Sequence, residues 1–356
     1  MITTSVAGRT WHYSHSLGRH TVETNESRFG KTGGYSYPMD VAAAGNDILF
    51  VISRGIGVAW PIGRIRGFDL HRRIGKTTID EEHIGDFARH DFTWPVGIAV
   101  AGDGNVYCTD EYECCVAVFD PDAVYPYPEY NPDGESLERW GEKGHMEGQL
   151  NGPSGLAFNA EDDLYIVDSL GDRVQKFTKG GKFVMGWGST GSGDGEFKRP
   201  WGITVDSEGS VYVADWGNHR IQKFSSEGKY LMSFGAKEGY GGALKHPAGV
   251  AVDSDGDVYV TDWGNRRVQI FEPNGEVLAA LYGDAMKFSK AADYNLAGDP
   301  DYGKLLNQNE EVMPFLAKFG RPIGITVDEK DRIIITDGFG RLQVYNKDKD
   351  YVEPTV

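Results

Sequence analysis

Cysteine is scarce. The three in 356 residues, Cys108, Cys114 and Cys115, are too few for a disulfide framework. Long apolar runs are missing too: none reaches the ~18 residues of a membrane-spanning helix. The N-terminal MITTSVAGRTWHYSHS lacks the basic-then-apolar order of a secretion signal. These absences point to a reducing cytoplasm and to no membrane partner. Basic charge is also short. Against 53 Asp and Glu there are 36 Lys and Arg, a formal charge of −17 that repels phosphate backbones and makes nucleic acid an unexpected partner. No phosphate-cradling glycine loop, nucleophile elbow or HExxH helix occurs.

The chain does have glycine, 48 residues of it, aromatics at 12%, and a repeat. PWGITVDSEGSVYVADWGNHRIQKF recurs as PAGVAVDSDGDVYVTDWGNRRVQIF, with the leading Pro200 and Pro247 47 residues apart. Periods of this size mark solenoids, propellers or arrays. Pro-x-Gly (PMD in the first) followed by alternating apolar residues opens six such units, at Pro38, Pro95, Pro153, Pro200, Pro247 and Pro322. In the fourth unit, strands are expected over 203–206, 211–215, 220–224 and 230–234, separated by Ser/Asp/Gly, Trp-Gly-Asn and Ser-Glu-Gly turns. One four-stranded antiparallel sheet cannot bury both faces, but six packed radially can. The expected fold is therefore all-β: one six-bladed β-propeller spanning 1–356.

These residues resemble the NHL-repeat family of six-bladed propellers: a Gly-rich lead-in (GSGDGEFKRPWG), Val-Tyr-Val-x-Asp, then Gly-Asn-x-Arg-Val/Ile-Gln-x-Phe. The match is strong in the third to fifth units and weaker in the first two. The first has Ser53 in place of Asp, with Arg64 and Phe68 taken as the Arg and Phe of its third strand. The second keeps Asp110 but has Cys115 in place of Arg. Because the sixth unit contains only three strands, residues 10–16 are expected to complete it and close the ring; the alternative is residues 351–356. Insertions fall at 54–63 and 284–321 on the upper face, defined by the turns between second and third strands, and at 120–135 on the lower face. Connections this long are often functional.

The expected site is the upper channel mouth, taking a small molecule or peptide. Trp201, Trp216 and Trp263 would wall it, and Tyr35, Tyr37 and Met39 would line it. Arg54 would bind an anion or stabilise developing negative charge, with Glu111 or a tyrosine (Tyr35, Tyr37 or Tyr112) transferring protons. Lyase- or hydrolase-type chemistry is the enzymatic form of this reading. A non-catalytic protein-interaction platform is the alternative, and RNA binding, known for some NHL propellers, is disfavoured by the charge. The paired Asp and Arg repeated in most units (Asp168/Arg173, Asp215/Arg220, Asp262/Arg267, Asp337/Arg341) read as scaffold rather than catalyst.

Ile52-Ser53-Arg54-Gly55 also resembles the segment carrying the substrate-binding arginine in the α-amidating lyase branch. That branch holds zinc with histidines at blade starts. Here those positions are Met39, Val96, Ser154, Trp201, Ala248 and Ile323, so no such zinc site and no cofactor is expected. His20, His90, His145 and His246 read as solvated loop residues, the adjacent Cys114 and Cys115 as inert thiols. DSDGDV at 253–258 reads as a hairpin turn, because position 12 of a calcium loop would be Gly264 rather than Glu.

Overall fold

The computed structural model describes residues 3–18, 35, 37–55, 72–88, 91–122, 136–236, 243–285, 289–290, 317–338 and 340–348. They form six antiparallel sheets. Blade 1 comprises Pro38–Ala43, Ile48–Ser53, Arg73–Thr78 and His83–Phe87, and blade 2 Pro95–Val100, Val106–Asp110, Cys115–Phe119 and Glu138–Trp140. Blade 3 comprises Pro153–Phe158, Asp163–Asp168, Arg173–Thr178 and Phe183–Trp187, and blade 4 Ile203–Val205, Val211–Asp215, Arg220–Phe224 and Tyr230–Phe234. Blade 5 runs through Pro247–Val252, Val258–Asp262, Arg267–Phe271 and Val277–Leu281. Each blade's first strand packs against those of its two neighbours, and blade 6 meets blade 1, so the ring is a six-bladed β-propeller.

Blade 6 takes Pro322–Val327, Arg332–Asp337 and Arg341–Asp348 from the C-terminal end of the chain and Arg9–Gly18 from the N-terminal end. The expected closure by residues 10–16 is what the sheet shows; residues 351–356 lie outside the described residues. One strand was not anticipated. Thr3–Val6 folds back on Arg9–Gly18 as a fifth, outermost strand. The closing strand is anchored to blade 5 by the buried Trp11, whose indole N–H donates to Tyr259 Oη at 2.9 Å.

A second anchor lies in the DSDGDV turn. The buried Lys347 ammonium donates to Asp253, Asp255 and Asp257 at 2.5, 2.8 and 2.9 Å. Burial alone would lower this ammonium's pKa; the three carboxylates outweigh it and raise it. The turn is thus held by an internal cation.

Strand burial departs from simple alternation for a physical reason. In Val211–Asp215 and Val258–Asp262 every residue is buried, because a central blade strand is covered on both faces by neighbouring blades. Six interblade clusters result, sealed by one lead-in residue three positions before each proline: Tyr35, Phe92, Leu150, Phe197, Leu244 and Phe319, all buried.

The third strand of blade 1 corrects the sequence register. Ser53 pairs with Arg73, as Asp168 pairs with Arg173, so the Arg and Phe positions are held by Arg73 and Thr77, not Arg64 and Phe68. The connection consequently spans 54–72 rather than 54–63. With serine opposite, Arg73 turns to Asp86 on the fourth strand, at 3.1 Å.

Candidate functional site

In blades 3 to 6 the second strand ends in a buried aspartate that clasps an arginine: Asp168–Arg173 at 2.8 Å, Asp215–Arg220 at 2.9 Å, Asp262–Arg267 at 2.8 Å and Asp337–Arg341 at 3.0 Å. The same carboxylates accept lead-in amides, Lys198 N–H on Asp215 and Lys245 N–H on Asp262. Each arginine also donates to lead-in carbonyls, as Arg220 does to Gly193 and Glu196. Burial pushes the Asp215 carboxyl up, and the Lys198 amide, Asn218 and Arg220 oppose that push. These groups fasten each blade to the connection from the blade before it.

Blades 1 and 2 lack this clasp. Ser53 Oγ is buried with no hydrogen-bond partner. Asp110, facing Cys115, accepts four backbone amides instead, from Thr93, Trp94, Tyr112 and Glu113. All three thiols are buried. Burial raises Cys115 to about 11, with Arg139 opposing, so the thiolate is disfavoured.

The residues following Ser53 and Asp110 meet across the blade seam. Arg54 Nη2 donates to Glu111 Oε2 at 2.8 Å and Nε to the Pro95 carbonyl at 3.2 Å, while its guanidinium lies 4.9 Å from the centre of the Trp94 ring. Burial pulls the Arg54 pKa down, and Glu111 opposes it. Around this pair the upper rim exposes Tyr37 (42%), Trp94 (45%) and Tyr112 (64%), followed on blade 3 by exposed Met146 and Leu170.

The other expected site residues lie elsewhere. Tyr35 fills the buried interblade slot described above. Trp216 stacks on His246 of the next blade at 4.0 Å, and the Arg321 guanidinium lies 4.2 Å from the centre of the Trp263 ring. Arg54 on Trp94 follows the same rule: the residue after the second strand stacks on the residue before the next blade's proline. His246 also packs edge-on to His219 at 4.3 Å, and burial, then His246, lowers the His219 pKa. His20, His90 and most of the 284–321 insertion lie outside the described residues. At the insertion's root, Ser289 donates to the Gly18 carbonyl and Lys290 to the Asp80 carbonyl. Among the described residues no group of three His, Cys, Asp or Glu side chains could hold a metal.

Trp201 and Met39 meet at the channel mouth. Trp201 of blade 4 and Ile323 of blade 6 pack against the cluster of blades 1 and 2 that includes Met39 and Val96. Blade 4 borders neither of those blades, so Trp201 reaches them only across the axis. Beneath them lies a cavity of about 290 Å³ lined by the first strands of all six blades.

Sequence reasoning missed the one acid in that lining, Asp40. It occupies the Pro-x-Gly glycine position, which is Gly97, Gly155, Gly202, Gly249 and Gly324 in the other blades. The signal was legible in PMD set beside PVG, PSG, PWG, PAG and PIG.

The NHL repeat family matches residues 197–224 and 244–271. The chain is 47% identical over 45 residues to protein brain tumor of Drosophila melanogaster; that stretch is 13% of this chain and 4% of that protein. Among solved structures, a Bacteroides thetaiotaomicron protein of unknown function superposes with TM-score 0.61 at 16% identity, covering 96% of this chain and 76% of its own. A Xanthomonas campestris gluconolactonase gives 0.56 at 13%, covering 95% and 99%. A Staphylococcus aureus virginiamycin B lyase gives 0.53 at 12%, also covering 95% and 99%. At these identities the structures share a fold with this chain and nothing finer. The class is thus a six-bladed β-propeller. More narrowly, it is a propeller carrying NHL repeats, matched in blades 4 and 5.

Proposed function

We propose that the chain is a binding module whose upper rim, over blades 1 to 3, receives an extended peptide segment of a partner protein. One observation carries this reading: large apolar side chains stand exposed along this rim, Tyr37, Trp94 and Tyr112 at blades 1 and 2 with the Arg54–Glu111 pair, then Met146 and Leu170 at blade 3. Tyr, Trp, Met and Arg are the side chains enriched where protein interfaces form, and Tyr and Trp bury much area with few rotamers to fix. Arg54, Glu111 and Tyr112 then recognise rather than transform. Trp94 is the anchor, held in place by the guanidinium beneath it. Trp216 and Trp263 keep blades 4 to 6 in register.

Selection of a random peptide library displayed on phage against the whole chain tests this reading. Enriched peptides should bind wild type and Trp216→Ala alike, and lose at least about tenfold in affinity against Trp94→Ala/Tyr112→Ala, the loss expected for an interface anchor. Peptides that ignore the double variant, or no enrichment on wild type, would refute it.

A further inference from the structure

Five blades keep glycine two residues after the proline because the next blade's backbone is in the way. A Cβ on Gly97 would sit 2.5 Å from the Ser154 carbonyl oxygen, one on Gly155 2.7 Å from that of Trp201, and one on Gly249 2.6 Å from that of Ile323. Blade 1 breaks this ring with Asp40. Its carboxylate accepts the Val41 amide at 2.9 Å and, across the seam, the Ile98 amide at 3.2 Å. It lines the cavity on the side where the first strands run toward the lower face.

Two further observations define what would fit there. Each first strand is the edge of its sheet; near its start that edge is tied across the seams, as the Gly155 amide is to the Trp201 carbonyl and the Ile98 amide to Asp40, and beyond those bonds it turns backbone carbonyls and amides to the channel. Moreover, the turns between first and second strands, which ring the lower end, carry twelve Asp and Glu; six cations pair with them (Arg9, Lys179, Lys223, Lys330, Arg332 and Lys347), and the balance stays negative, whereas the described residues of the turns between second and third strands carry three acids and three Lys or Arg. A field of that sign concentrates cations at the lower opening.

We infer that the lower half of the channel is a binding site for a small organic ammonium ion, held by the Asp40 carboxylate and the carbonyls of the channel-facing strand edges. An ammonium group is all donor, and it pairs with the Asp40 carboxylate and with the carbonyls among these edge groups. A dehydrated metal ion asks for several hard oxygen ligands close together, and this wall offers one carboxylate. The volume sits at the lower end of the range for small-ligand sites, ~300–1,000 Å³. This site is independent of peptide docking on the upper rim.

Burial raises the Asp40 carboxyl to about 7, against the opposing pull of the Ile98 and Val41 amides. Its strand partner Ile52 and its neighbours Ile98 and Gly324 are not ionisable. The titratable group facing it from the adjoining blade is the Cys108 thiol, which burial, then Asp40, holds well above its usual range. The ammonium ion binds the ionised carboxyl, so affinity follows the ionised fraction.

Isothermal titration calorimetry of the whole chain with n-butylammonium, n-butanol, butyrate and calcium chloride tests the inference. n-Butylammonium should bind, about tenfold more tightly at pH 8 than at pH 6 as the ionised fraction rises through the pKa. Asp40→Asn should abolish binding. Asp40→Gly should do the same while folding normally, since five blades already carry glycine there. Four outcomes would overturn it: butanol binding as well as butylammonium, Asp40→Gly retaining binding, calcium binding through Asp40 in place of the amine, or no binding to wild type with Asp40 variants merely less stable. The last would make Asp40 a strut between blades 1 and 2.

Discussion

Blades 4 and 5 end their second strands in aspartate and convert it into a buried clasp, Asp215 on Arg220 and Asp262 on Arg267, with a flat stack of Trp216 and Trp263 above it. In blades 1 and 2 the corresponding positions are Ser53 opposite Arg73 and Asp110 opposite Cys115, and no clasp forms. There the charge moves one residue along, to a half-buried Arg54–Glu111 pair on the rim, and a new carboxylate, Asp40, appears on the channel wall. Where the repeat is kept, its polar groups hold blades together. Where it is broken, polar groups face a place that a ligand or partner could occupy.

The largest expected effect breaks the repeat where it is kept. Asp262→Ala would leave the Arg267 guanidinium buried without its carboxylate, at a cost of about 3–5 kcal/mol, seen as a lowered midpoint in denaturant unfolding. Lys347→Ala should fall in the same range, leaving three carboxylates facing one another and loosening the ring at its closure. In blades 1 and 2 the equivalent cut should be small: Glu111→Gln breaks a partly exposed pair and should cost at most about 1 kcal/mol. Equal losses for Asp262→Ala and Glu111→Gln would erase the distinction between the two regions.

The pH dependence of stability sharpens the comparison further. With its pKa raised to about 7, Asp40 holds a proton in the folded chain that it releases in the unfolded chain from about pH 4 upward. Its contribution to stability is full below that window and is lost as pH rises through 7. The melting temperature of wild type relative to Asp40→Asn should therefore fall by a few degrees between pH 5 and pH 8, read by circular dichroism. A difference independent of pH would remove Asp40 from the channel's electrostatics.

The propeller was legible because its units repeat. Pro200, Pro247 and the Val-Tyr-Val-x-Asp strands align by inspection, and the missing fourth strand of the sixth unit pointed to the N-terminal segment. Thr3–Val6 repeats nothing and had no partner to align with. The third strand of blade 1 was misplaced because Arg64 and Phe68 offered the expected spacing inside a long insertion, while the strand itself carries Thr77 where blades 2 to 5 carry Phe and blade 6 carries Tyr345. Candidate site residues were harder for another reason. Arg54 and Glu111 stood out as departures from the repeat, but that they pair with each other is a fact of ring geometry, 57 residues apart in sequence. Trp201 packing on the cluster of blades 1 and 2 across the axis depends on blade 4 standing opposite blade 1, which no local pattern shows.

We propose that recognition belongs to the rim of blades 1 to 3, while the Asp–Arg clasps of blades 3 to 6 supply cohesion. Fluorine NMR of the chain labelled with 5-fluorotryptophan at its eight tryptophans tests it directly, with resonances assigned by single Trp→Phe variants. On titration with a peptide selected against the whole chain, the Trp94 resonance should move while those of Trp216 and Trp263 stay in place. Movement of Trp216 or Trp263 with Trp94 unchanged would contradict the account.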